Sequence, residues 1–366
     1  MALEIEVIRE SSQAETEYDS VIDNCKYGFI QQSTVWRDVI RGLGPDEPHL
    51  LLGRDNGKPV GVLPLYLYRG KFGNIMTSVP QPGSLGGIAC LDGYNDKEAL
   101  YKALINYAVD LGREKECRLL TIITNPFAQD DALYRKFLFP EYELENFTQF
   151  IGLGNSSYVI TSKNIKRDLK TSISEGVTIK ETLSASDFDA LYKIHCKRQA
   201  EIGAIPLDKR LLENIFNIAC PANKARIFLA YHDGSIIAGW ILIHNKLIAD
   251  VFVIAADSAF DRLFPNFALA DYSIRWVQGE GKRFYNWQSA PGRSSGVYKF
   301  KNRWGSKEAT YYFFTKTLGD VSGIMNSNFS GVRSAYANHF LLPCEAAGKI
   351  EGRVFGEFVK NKVKKQ

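Results

Sequence analysis

The chain has 366 residues, of which 45% are hydrophobic and 12% aromatic, and its formal net charge is +4. This composition is that of an ordinary globular protein and excludes a disordered or fibrous chain. The length exceeds what a single hydrophobic core usually serves, so we expect two domains.

The six cysteines and five histidines show no spacing typical of a zinc site or a small disulfide framework. We therefore expect no metal centre and reduced thiols. The opening MALEIEVIRE lacks the build of a signal peptide, and no apolar run reaches the roughly 18 residues of a membrane span. Together these features predict a cytoplasmic protein.

In chain order, the first half begins with helical patterns and continues into a β-hairpin. The hairpin turn contains Asn56-Gly57, which supplies the positive φ angles that a tight turn requires. A helix with an apolar face and then a strand follow the hairpin. The predicted elements are helices over 14–26 and 33–42, the hairpin over 49–68, the helix over 97–112 and the strand over 118–124.

The second half repeats this order. Asp233-Gly234 occupies the turn of its hairpin, and Ser162 and Ser184 are N-cap candidates for two of the helices before it. The predicted elements are helices over 163–175, 186–202 and 207–219, the hairpin over 227–244, a strand over 247–254, a helix over 266–278 and strands over 283–287 and 307–318.

The repetition predicts an α/β (α+β) fold that arose by internal duplication. We expect a first domain over 1–155 and a second over 156–318. Residues 319–366 are predicted to form a helical, basic tail that packs back on the first domain. Within it, residues 349–366 hold six basic and two acidic side chains, which is the whole formal excess of positive charge. Such a tail can contact an anionic membrane or RNA. The alternative is a solvated terminal helix that packs through its apolar face, and charged runs usually do just face water.

Three motifs carry a resemblance to a known family. Gln32-Ser33-Thr34-Val35-Trp36 resembles a Q-x-x-x-W opening, and SKNIKRDLKTSISEG at 162–176 is similar to an N-x-[KR]-R-x-[LI]-[KR]…G helix. The most specific is 284–305, FYNWQSAPGRSSGVYKFKNRWG, which matches a strand, a Gly/Ser loop and an F-K-x-x-[WF]-G closing element. With the repeated element order, these motifs resemble the Fem-type aminoacyl/acyltransferases, which have two tandem GNAT-like domains, and among them the arm-less relatives of exopolysaccharide systems.

The resemblance implies a transferase that adds an acyl or aminoacyl group to an amine or hydroxyl of a cell-envelope sugar or lipid-linked precursor. The donor would be aminoacyl-tRNA, held at its acceptor end, or acyl-CoA, and the basic tail would allow peripheral contact with the inner membrane face. Two departures stand out: Ile40 replaces a lysine that the peptidoglycan-building members commonly carry four residues after the tryptophan, and no coiled-coil arm is present.

Lys301 is the predicted catalytic residue. It matches the family's functional lysine, and a partly desolvated lysine between Phe300 and Trp304 suits the stabilisation of an oxyanion or a phosphate. A surface lysine is the alternative. The loop before it is the predicted acceptor-binding element, in which Arg293 suits a phosphate or carboxylate and Ser294 and Ser295 suit sugar hydroxyls, unless it is only a flexible loop.

Further substrate-binding candidates lie elsewhere in the chain. Lys166 and Arg167 belong to a basic helix face that suits phosphates. Arg198 stands where the family often places a substrate-binding arginine. Asp250, inside an apolar strand, needs a partner. Core packing or solvated charge remains the alternative for each. The complete substrate-binding prediction comprises Trp36, Lys166, Arg167, Arg198, Asp250, Trp287, Arg293, Ser294, Ser295 and Phe300.

A CoA-type phosphate loop is expected before the helix of each half, because backbone N–H groups at a helix start bind anions. In the second half this stretch, DSAFDRLFPNF, contains no glycine. In the first half Gln81, Gly83, Gly86 and Gly87 are the candidate cofactor-binding residues, and they fit such a loop only in part. An acyl-CoA-dependent GNAT N-acyltransferase therefore remains an alternative, as does a non-catalytic protein that binds a sugar or a membrane.

Overall fold

The computed structural model describes residues 3–10, 12–80, 85–154, 157–327, 329–336 and 363–365. The chain divides into two compact units. Unit 1 comprises Met1–Phe147 together with Ala309–Gln366, and unit 2 comprises Thr148–Glu308.

Unit 1 is built on a β-sheet with helices packed against it. Its strands follow the order β1-β2-β3-β4-β6-β13, and all neighbours are antiparallel except β4 and β6, which are parallel. The elements up to the second unit are β1 (Leu3–Val7), α1 (Ser12–Asp23), α2 (Thr34–Ile40), β2 (Glu47–Asp55), β3 (Lys58–Gly70), β4 (Gly73–Thr77), β5 (Ala89–Cys90), α3 (Lys97–Glu114), β6 (Cys117–Ile123), α4 (Asp131–Leu138) and β7 (Tyr142–Gly152). The chain returns to unit 1 through β13 (Lys307–Thr317), α10 (Ser322–Met325), α11 (Phe329–Ala335) and β14 (Val363–Lys365).

Unit 2 repeats the plan. Its sheet has the order β7-β12-β11-β10-β9-β8, to which β7 contributes its last residues. The elements are α5 (Lys163–Ser174), β8 (Thr178–Glu181), α6 (Ala185–Glu201), α7 (Lys209–Asn214), β9 (Ala225–His232), β10 (Ser235–His244), β11 (Ile248–Ala256), α8 (Pro265–Gly279), β12 (Phe284–Gln288) and α9 (Gly296–Arg303).

The repeated order is a hairpin, a strand, a helix and a strand that pairs in parallel. In unit 1 this is β2-β3-β4-α3-β6 and in unit 2 it is β9-β10-β11-α8-β12. The hairpin turns have the left-handed residues that their sequences require, with φ of 49° at Asn56 and 47° at Asp233. The predicted duplication is thus present in the order and pairing of the elements.

Each unit has its own hydrophobic core. In unit 1 helix α3 presents Leu100, Leu104 and Ala108 to the sheet, at the spacing of one helix face. In unit 2 the core contains Trp240, Trp287 and Trp304 together with the inner face of α8. The end of β12 packs in this core through Trp287, and the candidate site lies at that end of the strand.

Two helices that the sequence patterns did not predict are α4 and α9. The predicted loop before Lys301 ends where α9 begins, at Gly296, and no helical period marked the residues after it. The helix starts there because Ser295 caps it: the Ser295 side chain accepts a hydrogen bond from the Tyr298 N–H at 3.1 Å.

The predicted helical tail is only partly described. Helices α10 and α11 lie in it, and Tyr336 after them is buried, with its hydroxyl donating to the Gly73 carbonyl at 2.7 Å within unit 1. The tail ends in the short strand β14, which pairs with β7. The basic run predicted over 349–366 falls almost entirely outside the described residues.

Candidate functional site

The candidate site lies where two parallel strands of unit 2 stop pairing. Strands β11 and β12 pair only from Ile248 with Phe284 to Asp250 with Asn286, and both continue beyond that point. A gap between neighbouring strands leaves backbone groups available to a ligand. Asp250 and Asn286, the last pair before the gap, therefore stand at its closed end.

A chain of buried polar side chains occupies this end. The Asn286 Nδ2 donates to Asp250 Oδ1 at 2.5 Å, and the Thr148 hydroxyl donates to Asn286 Oδ1 at 2.6 Å. All three side chains are at most 1% exposed. A buried carboxylate is costly unless it is hydrogen-bonded, and the bond from Asn286 offsets part of that cost for Asp250.

The end of β12 is irregular. The pairing of β12 with β7 shifts between Asn286 and Gln288, which leaves Trp287 as an extra residue in a bulge. Gln288 has a φ of 60°, the left-handed conformation that a non-glycine residue rarely adopts. Backbone in such a conformation persists only where the surrounding structure holds it, and it is common at functional sites.

Two amide side chains near the bulge keep unused hydrogen-bonding atoms. Gln149, opposite Gln288 in the register, donates through Nε2 to the Tyr298 carbonyl at 3.2 Å. Its Oε1 and the Nε2 of Gln288 are buried and have no hydrogen-bond partner among the described residues. Buried polar atoms are nearly always bonded, so this unused acceptor and donor indicate a place where a ligand or water binds.

Lys301 is buried beside the same strand end. Its Nζ donates to three successive backbone carbonyls, those of Trp287 at 2.8 Å, Gln288 at 3.1 Å and Ser289 at 2.8 Å. The side chain is 3% exposed, and burial lowers the pKa of Lys301 to about 7. An ammonium group has three N–H donors, and here all three are used by the protein itself.

Aromatic rings enclose this lysine. Trp287 packs against Phe300 and Trp304 with ring centroids 6.0 and 6.3 Å apart, and against Trp240 at 5.8 Å. Trp287 and Trp304 are fully buried, whereas Phe300 is partly exposed. Phe300 is thus the ring of this group that solvent reaches, while Trp287 is part of the hydrophobic core. The predicted Trp36 is buried in the same way in unit 1.

The loop between β12 and α9 carries three predicted substrate-binding residues. The Arg293 guanidinium forms a two-pronged ion pair with Glu308, with its Nη2 at 2.6 Å from Oε2. Ser295 caps α9 and donates to the Gly292 carbonyl at 2.7 Å. Ser294 is exposed. Ser294 makes no hydrogen bond to the described residues that a ligand would have to replace, whereas Arg293 would have to share Glu308 with any anion.

The predicted basic helix face is real and faces solvent. Lys163, Lys166, Arg167 and Lys170 of α5 are all exposed. Arg167 pairs with the buried carboxylate of Asp168 at 2.8 Å. On α6, the partly exposed Arg198 pairs with Glu201 at 3.1 Å. The structure therefore does not bring these cations to the end of β12 by any contact it shows.

The position of a CoA phosphate loop in unit 2 is taken by a short 3-10 helix, Ser258–Leu263. Asp257 caps it, and a proline begins α8 directly after it. In unit 1, Gln81 and Gly83 lie outside the described residues. Gly87 has a φ of 71°, and its carbonyl accepts a hydrogen bond from Gln32 Nε2 at 2.9 Å.

A Cβ added at Gly86 would meet Gln32 at 2.9 Å, and one at Gly87 would meet the Tyr134 hydroxyl at 2.5 Å. Close packing inside unit 1 therefore accounts for a glycine at both positions. Among the described residues, no group of three or more His, Cys, Asp or Glu side chains is placed to hold a metal ion. Within the same part of the chain, no helix is long and apolar enough to cross a membrane.

Sequence reasoning missed three residues of this site: Thr148, Gln149 and Asn286. The sequence offers one signal for the last of them, because the polar Asn286, flanked by Tyr285 and Trp287, interrupts an apolar strand. Thr148 and Gln149 come from a strand more than 130 residues away in sequence, so only the folded chain reveals them.

Comparisons with known proteins agree with this architecture. Residues 161–301 match the family described as the acetyltransferase (GNAT) domain. The crystal structure of FemX shares the fold with a TM-score of 0.69 at 14% identity, over 85% of this chain and 97% of that chain. No curated protein matches by sequence.

Two further solved structures share the fold. A tandem GNAT protein from the clavulanic acid biosynthesis pathway gives a TM-score of 0.53 at 11% identity, over 87% of this chain and 99% of that chain. L-PGS from Bacillus licheniformis gives 0.55 at 12% identity, over 82% and 91%. The chain therefore has the tandem GNAT-like fold with an acetyltransferase-type domain in its second unit, and its resemblance to the Fem-type transferases is confirmed at the level of the fold.

Proposed function

We propose that the chain transfers an acyl or aminoacyl group to an amine or hydroxyl of a cell-envelope sugar or lipid-linked precursor, at the end of β12. The observation that carries the proposal is the gap between β11 and β12, which ends at the buried pair of Asp250 and Asn286. Beside this pair lie two amide atoms without a partner among the described residues. Gln149 Oε1 can accept a hydrogen bond from an N–H or O–H, and Gln288 Nε2 can donate one to a carbonyl.

Acyl transfer needs a held donor carbonyl, stabilisation of the charge that develops on its oxygen, and a route for the acceptor's proton. Asp250 is the buried carboxylate at the gap, so we assign it to the acceptor's amine or hydroxyl. Phe300, partly exposed at the edge of the aromatic cluster, is assigned to substrate packing. Ser294 is assigned to the acceptor's hydroxyls, and Arg293 to its anionic group in exchange for Glu308.

An aminoacyl donor suits unit 2 better than acyl-CoA. The stretch that would hold a pyrophosphate has no glycine, and its capped 3-10 helix brings Asp257 and Asp261 there instead. The C-terminal domain of a putative lysylphosphatidylglycerol synthetase from Agrobacterium fabrum has the same fold, with a TM-score of 0.53 at 12% identity. In the proposal the exposed cations of α5 bind phosphates of the donor or of the lipid carrier.

Acyl-CoA-dependent transfer is the second candidate, and the match to the acetyltransferase (GNAT) domain favours it. The two candidates predict different donors for one site.

The proposal also places the protein in the cytoplasm, at the inner membrane face, where the basic tail would bind anionic lipid.

The test is a donor comparison with the full chain. Radiolabelled aminoacyl-tRNA and acetyl-CoA are supplied in parallel with an envelope-precursor extract, and labelled products are identified by mass spectrometry. We expect label from aminoacyl-tRNA, and about a 10²-fold lower turnover for Asp250→Asn, the size typical of a lost proton-transfer group. Asp233→Asn, in the exposed hairpin turn, is the matched control. Transfer from acetyl-CoA alone favours the second candidate, and transfer from neither donor refutes both.

A further inference from the structure

The contacts of Lys301 orient the backbone that follows β12. Its ammonium group binds the carbonyls of residues 287, 288 and 289 on one side of the chain. A trans peptide holds its C=O and the next residue's N–H in opposite directions. The N–H groups of Gln288, Ser289 and Ala290 therefore point away from the lysine.

One of these three N–H groups is used inside the protein. The Gln288 N–H donates to Asn286 Oδ1 at 3.2 Å. Those of Ser289 and Ala290 donate no hydrogen bond to any described part of the chain, and Pro291, which follows, has no N–H. Two successive unused N–H donors are unusual next to a buried strand end.

These donors stand at the border between core and solvent. Ala290 is 2% exposed, whereas Ser289 is exposed. Gln288, in the left-handed conformation, begins the turn that presents them, and successive N–H groups in such a turn form a concavity for an anion. The buried Nε2 of Gln288, also without a partner among the described residues, adds a third donor beside them.

We propose that the N–H groups of Ser289 and Ala290 form an oxyanion site, and that Lys301 is the positioning residue that creates it by holding the carbonyls on the opposite side. The inference rests on the proposed function, because the oxyanion is that of the donor's acyl group. The acceptor's nitrogen or oxygen bonds to the acyl carbon, and the carbonyl π electrons move onto the oxygen, which the two N–H groups receive. When those electrons return, the bond to the donor's leaving oxygen or sulfur breaks, and the acceptor's proton ends on that leaving group.

This assignment differs from direct contact between Lys301 and the substrate. All three ammonium protons already bind carbonyl oxygens, and an oxyanion would have to displace one of them. Preorganised backbone donors require no such exchange, and they act best where water is excluded. The earlier prediction that Lys301 itself meets the oxyanion leads to the same loss on mutation, so the two are separated by experiments on the backbone.

The decisive variant replaces Ala290 by lactic acid, which changes its N–H to an ester oxygen and keeps the side chain. We expect kcat to fall by about 10²–10³-fold with little change in KM, the loss typical of one oxyanion donor. The same backbone ester at Lys246, an exposed turn residue before β11 and at the opposite end of β12 from Ala290, is the control. One oxyanion donor typically contributes at least about 10²-fold to kcat. The proposal is therefore overturned if the Ala290 ester keeps kcat within about threefold of wild type.

A binding experiment tests the oxyanion site independently of turnover. Methylphosphonate, a tetrahedral anion, is titrated into isotope-labelled wild type, and the amide signals of Ser289 and Ala290 are followed, with sodium chloride at equal ionic strength as the control. We expect downfield shifts of both amide protons in wild type and none in Lys301→Met, while Lys299→Met on the exposed face of α9 behaves as wild type. Absence of the shifts in wild type refutes the oxyanion site. Shifts without transfer from any donor refute the proposed function alone.

The pH profile separates positioning from a merely structural lysine. A neutral amine has only two N–H donors, so deprotonation releases one of the three carbonyls. Burial lowers the pKa of Lys301 because it removes water from around the ammonium group, while the three carbonyl contacts favour the charged form. We expect kcat to fall as the pH rises above about 7, and Lys301→Arg, which stays charged, to lack this alkaline limb. A limb that persists unchanged in Lys301→Arg contradicts the positioning role.

Discussion

Replacing Lys301 by methionine tests how much the buried ammonium contributes to the fold as distinct from the site. Hydrogen bonds to a charged donor stabilise by about 1.5–3 kcal/mol each, so three of them give roughly 4–9 kcal/mol. Burial opposes them: lowering the pKa from 10.5 to about 7 corresponds to a cost of about 5 kcal/mol. The buried ammonium therefore contributes a net stabilisation of between about zero and 4 kcal/mol. Methionine fills a similar volume and leaves no cavity.

We therefore expect Lys301→Met to fold and to lose about 2 kcal/mol of unfolding free energy, from the balance of those contributions. Equilibrium unfolding in urea is followed by tryptophan fluorescence, which reports mainly on unit 2 because it holds Trp240, Trp276, Trp287 and Trp304. Lys299→Met, two residues earlier and exposed, is the control. A Lys301→Met protein as stable as wild type, with unchanged amide signals from Ser289, would refute the role of the ammonium in holding this loop.

Three further predictions concern stability. Burial, with Lys282 and two other cations nearby (Arg226 and Lys224), lowers the pKa of His244 to about 3, so the unfolded chain binds a proton that the folded chain does not. Stability from this group is present above pH 6.5 and declines as the pH falls towards 3, and urea titrations of His244→Phe should show a shallower decline than wild type. An equal decline refutes the assignment. Ser162→Ala should cost about 1 kcal/mol in urea unfolding by removing the cap of α5, and no loss would contradict that capping role. Gly87→Ala should lower the melting temperature by more than Gly93→Ala, because both have positive φ but only Gly87 is closely packed; equal losses would contradict the packing argument.

Local signals in the sequence predicted much of the fold. Asn56-Gly57 and Asp233-Gly234 mark the two hairpin turns, since few other residue pairs adopt their backbone angles at low cost. Ser162 and Ser184 mark the starts of α5 and α6, where each side chain accepts a backbone N–H. The apolar face of α3 follows directly from its periodicity. These features depend on contacts within a few residues, which is why a single sequence reveals them.

Helix α9 shows where such reasoning ends. Its eight residues are too few to display a helical period, and the Gly/Ser run before it is typical of a loop. The helix exists because Ser295 caps it and because Trp304 and Phe300 pack into the core of unit 2. The sequence therefore identified Lys301 by motif, but it did not predict the helix that carries this lysine.

The candidate site divides in the same way. Its residue types were readable: a lysine in an aromatic motif, a carboxylate in an apolar strand, and a Gly/Ser loop. What Lys301 touches was decided only by the tertiary structure, because its partners are backbone carbonyls, which every residue carries and no sequence pattern distinguishes. The same holds for Gln149, which reaches this strand end from β7 through strand register alone. Local chemistry thus determined the elements, and long-range packing determined which polar groups met at the end of β12 and which were left without a partner.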